Sequence, residues 1–146
     1  MKSVARAALM GALLSGCVEA LQVPPEGTPF IAVYSGNGVF SGFVEKTVYA
    51  DDRVAIVSSE AGGKNQNRTI AQGRPGLFAD VAALVAAEAP RVRIIAPGAD
   101  HLCLDYGQDR VTANPPIAGM ATISASCPEP AMLAFTQRVL DAIAAP

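Results

Sequence analysis

Tryptophan is absent from this 146-residue chain, and aromatic residues make up only 5% of it. Sites that hold sugars or unpaired nucleic-acid bases stack them on several exposed rings, so this scarcity argues against both classes of ligand. Positive charge is also scarce: the formal net charge is −2, and no run of lysine or arginine occurs. This pattern argues against a nucleic-acid-binding protein and against a polybasic membrane contact.

Motifs of several enzyme classes are also missing. The chain contains no Gly-x-Ser-x-Gly, no phosphate-binding loop and no Cys-x-x-Cys, and Gly36-Asn37-Gly38 lacks the third glycine of a dinucleotide site. His101 is the only histidine; in a strand it would share a face with Cys103 and Asp105. That set is too small for a metal site once Cys103 is oxidised. We therefore expect no cofactor and no metal, and a hydrolase using His101 is the least favoured hypothesis.

Several oxygen-bearing side chains cluster around one predicted turn near the middle of the chain. They are Asp100, Asp105, Tyr106, Gln108 and Asp109. Carboxylate and amide oxygens are the ligands that calcium prefers, but their spacing matches no calcium loop. The cluster is therefore interpreted as polar turn residues, as is Asp51-Asp52 earlier in the chain.

The N-terminus carries the clearest signal in the sequence. Lys2 and Arg6 precede an apolar run from residue 7 to 14, and Leu14-Ser15-Gly16-Cys17 follows with small residues before the cysteine. The run is too short to cross a bilayer, which takes about 20 apolar residues. The segment is therefore predicted to be an export signal and not part of the fold.

Residues 1–17 resemble the signal of bacterial lipoproteins, whose motif is matched by Leu14-Ser15-Gly16-Cys17. The resemblance implies a cut between Gly16 and Cys17 and a lipid on the Cys17 sulfur. It also implies a periplasm-facing protein in the cell envelope, and Val18 after the cysteine favours the outer over the inner membrane. Without Lys2 and Arg6, nine basic residues face 13 acidic ones, so the mature chain has a net charge of −4.

Two further cysteines, Cys103 and Cys127, remain once Cys17 is assigned to the lipid. An even pair in an oxidising compartment predicts one disulfide. The bridge would close a loop of 25 residues. The chain-entropy model gives it roughly 3.5 kcal/mol of stabilisation.

The predicted organisation is a signal at 1–16, a tether at 17–29 and one domain at 30–146. The tether carries three prolines and a glycine, a composition typical of extended linkers. The domain is predicted to contain two helices, one around 77–85 that Pro90 ends and one after Pro130. The predicted strands are Phe30–Tyr34, Val39–Tyr49 with a bulge at Gly42, Arg53–Ser58, Arg68–Gln72, Arg91–Ile95, His101–Tyr106, Arg110–Ala113 and Met120–Ser126.

Clustered strands joined by short hairpins predict an α+β fold, with a single mostly antiparallel sheet and two helices packed on one face. Residues 30–56 resemble small bacterial lipoprotein domains of unknown function, a resemblance that carries no known activity. The loop at 61–67 and the turn at 35–38, flanked by Tyr34 and Phe40, are candidate contact surfaces. We expect a non-catalytic binding or inhibitory module acting on another envelope protein, or a structural accessory of an envelope complex.

The anchor prediction is checked by the intact mass of the native protein. We expect a chain that begins at Cys17, carries acyl groups there, and has lost two hydrogens to a Cys103–Cys127 bridge. An uncut chain that starts at Met1, with free thiols at both later cysteines, would contradict both predictions.

Overall fold

One six-stranded sheet, carrying two helices, forms the centre of the molecule. The structure is a computed structural model that describes residues 21–36, 41–95, 107–125 and 129–143. In chain order the elements are β1 (Phe30–Gly36), β2 (Phe43–Tyr49), β3 (Arg53–Ser59), β4 (Asn67–Gln72), α1 (Leu77–Ile95), β5 (Asp109–Ile117), β6 (Met120–Ala125) and α2 (Pro130–Ala142). A short 3₁₀ turn, Ala61–Gly63, lies between β3 and β4.

All neighbouring strands of the sheet are antiparallel, in the order β4-β3-β2-β1-β5-β6. The first four strands form a meander. After α1 the chain returns beside β1, so the first and second strands lie at the centre of the sheet. The predicted α+β class is therefore confirmed.

The two faces of the sheet differ because successive side chains of a strand point to opposite sides. One face carries Ile31, Val33, Val48, Val54 and Val111, each at most 2% exposed. Both helices pack on this face and on each other. Their buried side chains are Leu77, Val81, Val85, Ala89 and Val92 from α1, and Met132, Phe135, Val139 and Leu140 from α2. The core therefore lies between the helix pair and one side of the sheet.

The turn between β2 and β3 fixes the start of α1. Asp52 Oδ2 accepts a hydrogen bond from the N–H of Gly76 at 2.7 Å, and its Oδ1 accepts one from Phe78 at 2.8 Å. The first N–H groups of a helix have no partner within the helix. The positive end of the helix dipole also stabilises a carboxylate placed there. Asp52 adopts the left-handed conformation at φ 62°. A turn residue thus caps a helix that is distant in sequence.

The end of α2 is fixed from the sheet. Lys46 lies on the helix-covered face of β2, and its Nζ donates a hydrogen bond to the carbonyl O of Leu140 at 2.9 Å. That carbonyl is among the last four of the helix, which lack partners within it. The negative end of the helix dipole also stabilises a cation placed there. Lys46 therefore gains a polar partner for its ammonium group while its stem covers apolar surface.

The predicted strand at Arg91–Ile95 is wrong, because α1 continues through Pro90 to Ile95. Proline removes one backbone hydrogen bond and crowds the preceding turn. On either side of it, however, Ala89 is fully buried and Val92 is only 4% exposed. The helical path keeps both side chains in the core, and this burial outweighs the local preference.

Two boundaries also differ from the prediction. β2 begins at Phe43, and Gly42 precedes it at φ 74°, where an added Cβ would overlap the carbonyl O of Ser59. Gly42 is therefore required by a close backbone approach beside the strand, not by a bulge within it. The strand predicted at Arg110–Ala113 is longer in the structure: β5 runs to Ile117 and includes Pro115 and Pro116, where the register with β6 is irregular between Thr112 and Ile117.

Several predicted features lie outside the described residues. Among them are the signal, the strand at 101–106, and all three cysteines: Cys17, Cys103 and Cys127. The disulfide that forms part of the predicted fold therefore stays a prediction.

Replacing Asp52 by alanine should lower the free energy of unfolding by about 2–3 kcal/mol, measured by denaturant titration. Loss of a helix cap lowers the free energy of unfolding by about 1–2 kcal/mol. Alanine, which has a Cβ but no polar side chain, lowers it by about a further 1 kcal/mol in the left-handed region.

Asp52→Asn is the matched control, since asparagine tolerates that backbone conformation and keeps an acceptor for the helix. Asp52→Asn should lower the free energy of unfolding by less than half as much as Asp52→Ala does. Asp51→Ala is the reference, since it removes the exposed pair with Arg53 and a hydrogen bond from the Arg53 backbone N–H but no contact to the helix. If Asp52→Ala is no more costly than Asp51→Ala, the cap does not contribute as described.

Candidate binding surface on the open face of the sheet

The sheet face opposite the helices is open, and none of the described helices covers it. Its side chains are half-buried or exposed and include four aromatic rings, those of Phe30, Tyr34, Phe43 and Tyr49. Ala55 is the exception, at 4% exposure. An antiparallel sheet with one solvated face normally presents polar residues there. Phe30 and Tyr49 line a cavity together with residues 23–28, so the segment before β1 already faces these two rings. Tyr34 and Phe43 do not line that cavity, and rings exposed there point to contact with another molecule.

Five of these residues lie side by side across five strands, and we call them the cross-strand row. Tyr34 of β1 is opposite Arg110 of β5 on one side and Glu45 of β2 on the other. Glu45 is opposite Val57 of β3, which is opposite Arg68 of β4. The row therefore presents an arginine at each end, with a ring, a carboxylate and an aliphatic side chain between them.

Contacts within the row order its side chains. The Arg110 guanidinium carbon lies 5.2 Å from the centre of the Tyr34 ring. The same ring stacks on Phe43, with centroids 5.3 Å apart and planes 26° apart. Arg110 Nη2 is 3.7 Å from Glu45 Oε2, and the two side chains are 40% and 34% exposed.

Each of these contacts contributes little to stability, about 0.5–1 kcal/mol for an exposed cation–π pair and up to about 1 kcal/mol for a surface ion pair. Their larger effect is to restrict side-chain rotation before a partner arrives. Such ordering reduces the entropy cost of binding. The row is therefore a preorganised surface whose groups remain accessible.

The two loops predicted as contact surfaces belong to one end of the sheet, which we call the distal end. Gly36 is opposite Phe43, and Phe43 is opposite Ser59, so the β1–β2 and β3–β4 connections share this end. Residues 60–66 are all exposed, and Asn65 Nδ2 donates a hydrogen bond to Glu60 Oε2 at 2.8 Å. The row lies next to this end. Residues 37–40, including Phe40, lie outside the described residues.

Asp109 is the one acid of the predicted cluster at 100–109 that the structure describes, and it is only 3% exposed. It lies on the helix-covered face opposite Ser35. Burial raises the pKa of Asp109 above its ordinary value, and a hydrogen bond from Ser35 opposes this shift. Neighbouring Gln108 is exposed, and its carbonyl O accepts from the N–H of Gly36 at 3.1 Å. Asp109 is thus a buried core residue and not an exposed calcium ligand.

Other predicted site residues, His101, Asp100, Asp105 and Tyr106, lie outside the described residues. Within the described ranges, no group of three His, Cys, Asp or Glu side chains could hold a metal ion. A cleft of about 450 Å³ runs along β6 beside Val92 and Met132. Its described lining contains Arg93, Thr122 and Ser124 but neither a carboxylate nor a histidine. The described lining of this cleft thus offers no paired acid and base for hydrolysis.

Sequence reasoning missed Phe43, Glu45, Val57 and Arg110 as a surface. Side chains alternate between the two faces along β1 and β2. Tyr34 and Glu45 are an odd number of residues away from the buried Val33 and Val48, respectively, so the sequence alone could have placed both side chains on the open face. The missing information was the register, which places Arg110 of a distant strand beside Tyr34.

Comparison of the chain with models of protein families and with curated proteins found no match. In the part of the chain that the structure describes, no helix has both the length and the apolar character needed to cross a membrane. The open face and the N-terminal segment are therefore the features of this chain that bear on its function.

The burial of Asp109 predicts a pH-dependent stability. Between about pH 4, where an unfolded aspartate loses its proton, and the raised pKa of the folded state, folded Asp109 retains a proton that the unfolded chain has released. The free energy of unfolding should therefore fall as pH rises through this window. Asp109→Asn should remove this fall, as measured by denaturant unfolding at a series of pH values.

Ser35→Ala provides the opposite change, since loss of the hydroxyl donor disfavours the carboxylate further and should make the fall steeper. If the curves of the native chain and Asp109→Asn run parallel across the window, Asp109 does not titrate as described.

Proposed function

We propose that this protein is a lipid-anchored, non-catalytic binding module whose cross-strand row contacts another protein of the cell envelope. The observation that carries the proposal is the in-register alignment of Arg110, Tyr34, Glu45, Val57 and Arg68 on an open sheet face. Tyrosine and arginine are the residue types most enriched at the centres of protein interfaces. The lipobox-like sequence ending at Cys17 supports the anchor.

The shape of the surface favours a protein over a small molecule. The row lies on a sheet face, whereas small ligands bind in concave pockets that enclose most of their surface. Charges of both signs flank the ring, and a polypeptide surface can match them with complementary charges and hydrogen bonds.

The size of the surface indicates that the exposed loop at 60–66 takes part. Five strands spaced by about 4.8 Å make a face roughly 19 Å wide, and a seven-residue strand is about 20 Å long. The face is thus on the order of 400 Å², while a stable interface buries about 800 Å² on each partner. The exposed loop at 60–66 adjoins the row and extends the area available to a partner.

Crosslinking in cells tests this proposal with the full, lipidated chain. A photoreactive amino acid at Val57, within the row, should give one discrete protein adduct in the envelope. The same amino acid at exposed Gln137 on α2 should give none, because that helix lies on the opposite side of the sheet.

The arginines give matched variants. Combined Arg110→Ala and Arg68→Ala should reduce the adduct about tenfold, corresponding to about 1.4 kcal/mol of binding. Arg74→Ala removes an exposed arginine that pairs with Asp80 beside α1 and should leave the yield unchanged. Equal adducts from positions 57 and 137, or no loss when both row arginines are removed, would contradict the proposal.

A further inference from the structure

Residues 21–29 of the predicted tether pack against the sheet. Arg53 Nη1 donates a hydrogen bond to the carbonyl O of Gln22 at 2.7 Å. The N–H of Ala50 donates to the carbonyl O of Pro29 at 2.9 Å, and Pro24 between these two points is buried. The segment is therefore fixed near both ends and packed in its middle. We call residues 21–29 the strap.

The strap lies across the proximal end of the sheet, which is the end that carries the β2–β3 turn. A cavity of about 350 Å³ lies between the strap and the open face, where it is lined by Phe30, Ala32, Thr47 and Tyr49 among others. Because the distal loops are at the other end of β1, they are separated from this turn by about 20 Å of strand.

Two large apolar side chains of the strap stay in solvent. Leu21 is 43% exposed and Val23 is 40% exposed, and these two are the exposed large hydrophobic residues of the described part of the chain. Val23 also lines the cavity between the strap and the open face, so only part of its surface faces solvent, whereas the neighbouring Pro24 is buried.

The length of the link to the lipid limits how far these side chains can be from a membrane. From Cys17 to Leu21 is four residues, which span at most about 14 Å when fully extended. A free tether over residues 17–29 would reach about 45 Å. The strap removes most of that freedom. The headgroup layer of each leaflet is itself about 5–8 Å thick, so Leu21 is within reach of it.

We propose that the strap holds the proximal end of the sheet against the membrane, with Leu21 and Val23 inserted at the boundary between the lipid headgroups and the acyl chains. Apolar side chains of interfacial segments reach such a depth. This inference rests on the proposed anchor at Cys17. It orients the domain so that the distal loops point away from the bilayer, towards a partner in the periplasm.

Photolabelling from the lipid side tests the orientation. The full lipidated protein is reconstituted in phosphatidylcholine vesicles that contain a phospholipid with a photoreactive group near the top of an acyl chain. Zwitterionic lipid avoids repulsion of the net-negative mature chain. After irradiation and proteolysis, mass spectrometry should locate lipid adducts at Leu21 and Val23 and none in residues 60–66.

A variant in which Leu21 and Val23 are both replaced tests their contact with lipid separately from the lipid anchor on Cys17. Leu21→Ser combined with Val23→Ser should cause a several-fold loss of adducts in the strap, while the acyl mass on Cys17 and sedimentation with vesicles stay unchanged. Lys64→Ser, in the distal loop, is the matched control and should leave the labelling pattern as in the native chain.

The outcomes distinguish the two proposals. Acylated protein that sediments with vesicles, yet is labelled no more at 21–23 than at 60–66, would overturn the orientation and leave the anchor intact. Strap labelling that is unchanged in the double serine variant would overturn the insertion of these side chains. Protein without acyl groups would overturn the anchor and the orientation together.

Discussion

Burial of one sheet face beneath two helices is the constraint on which the rest of this structure depends. Side chains alternate along each strand, so packing Ile31, Val33 and Val48 into the core necessarily turns Ala32, Tyr34 and Thr47 to the opposite side. The described residues form two α-helices, and both lie on the same face. The side chains of the open face are therefore those that the core does not use.

Two polar contacts tie the helices to this arrangement without interrupting the apolar core. Asp52 accepts hydrogen bonds from the start of α1, and Lys46 donates one to the end of α2. Each satisfies helix-terminal groups that would otherwise lack partners, and each places a charge at the helix end whose dipole it complements. The middle of β2 and the turn that follows it thus help to set the positions of both helices over the sheet.

Local patterns predicted the classes of the elements well where tertiary contacts agree with them. The β-prone composition of Phe30–Tyr34 and the helical spacing of Leu77, Val81 and Val85 reappear as β1 and α1. The prediction failed at Arg91–Ile95, because a local proline rule was outweighed by the burial of Ala89 and Val92 against the core. The local pattern around Asp109 predicts a turn residue, whereas the structure buries its side chain in the core. This burial depends on strands that are far apart in the sequence.

The sequence by itself determined the α+β class and the apolar stripes of the helices, and it predicts an export signal before Cys17, because each depends on residues close together in the chain. Tertiary structure decided which side chains meet. The alignment of Arg110 with Tyr34 joins strands separated by the whole of α1, and the contact of Arg53 with Gln22 joins a strand to the strap. Strand register and long-range packing decide such contacts, and no local spacing encodes them.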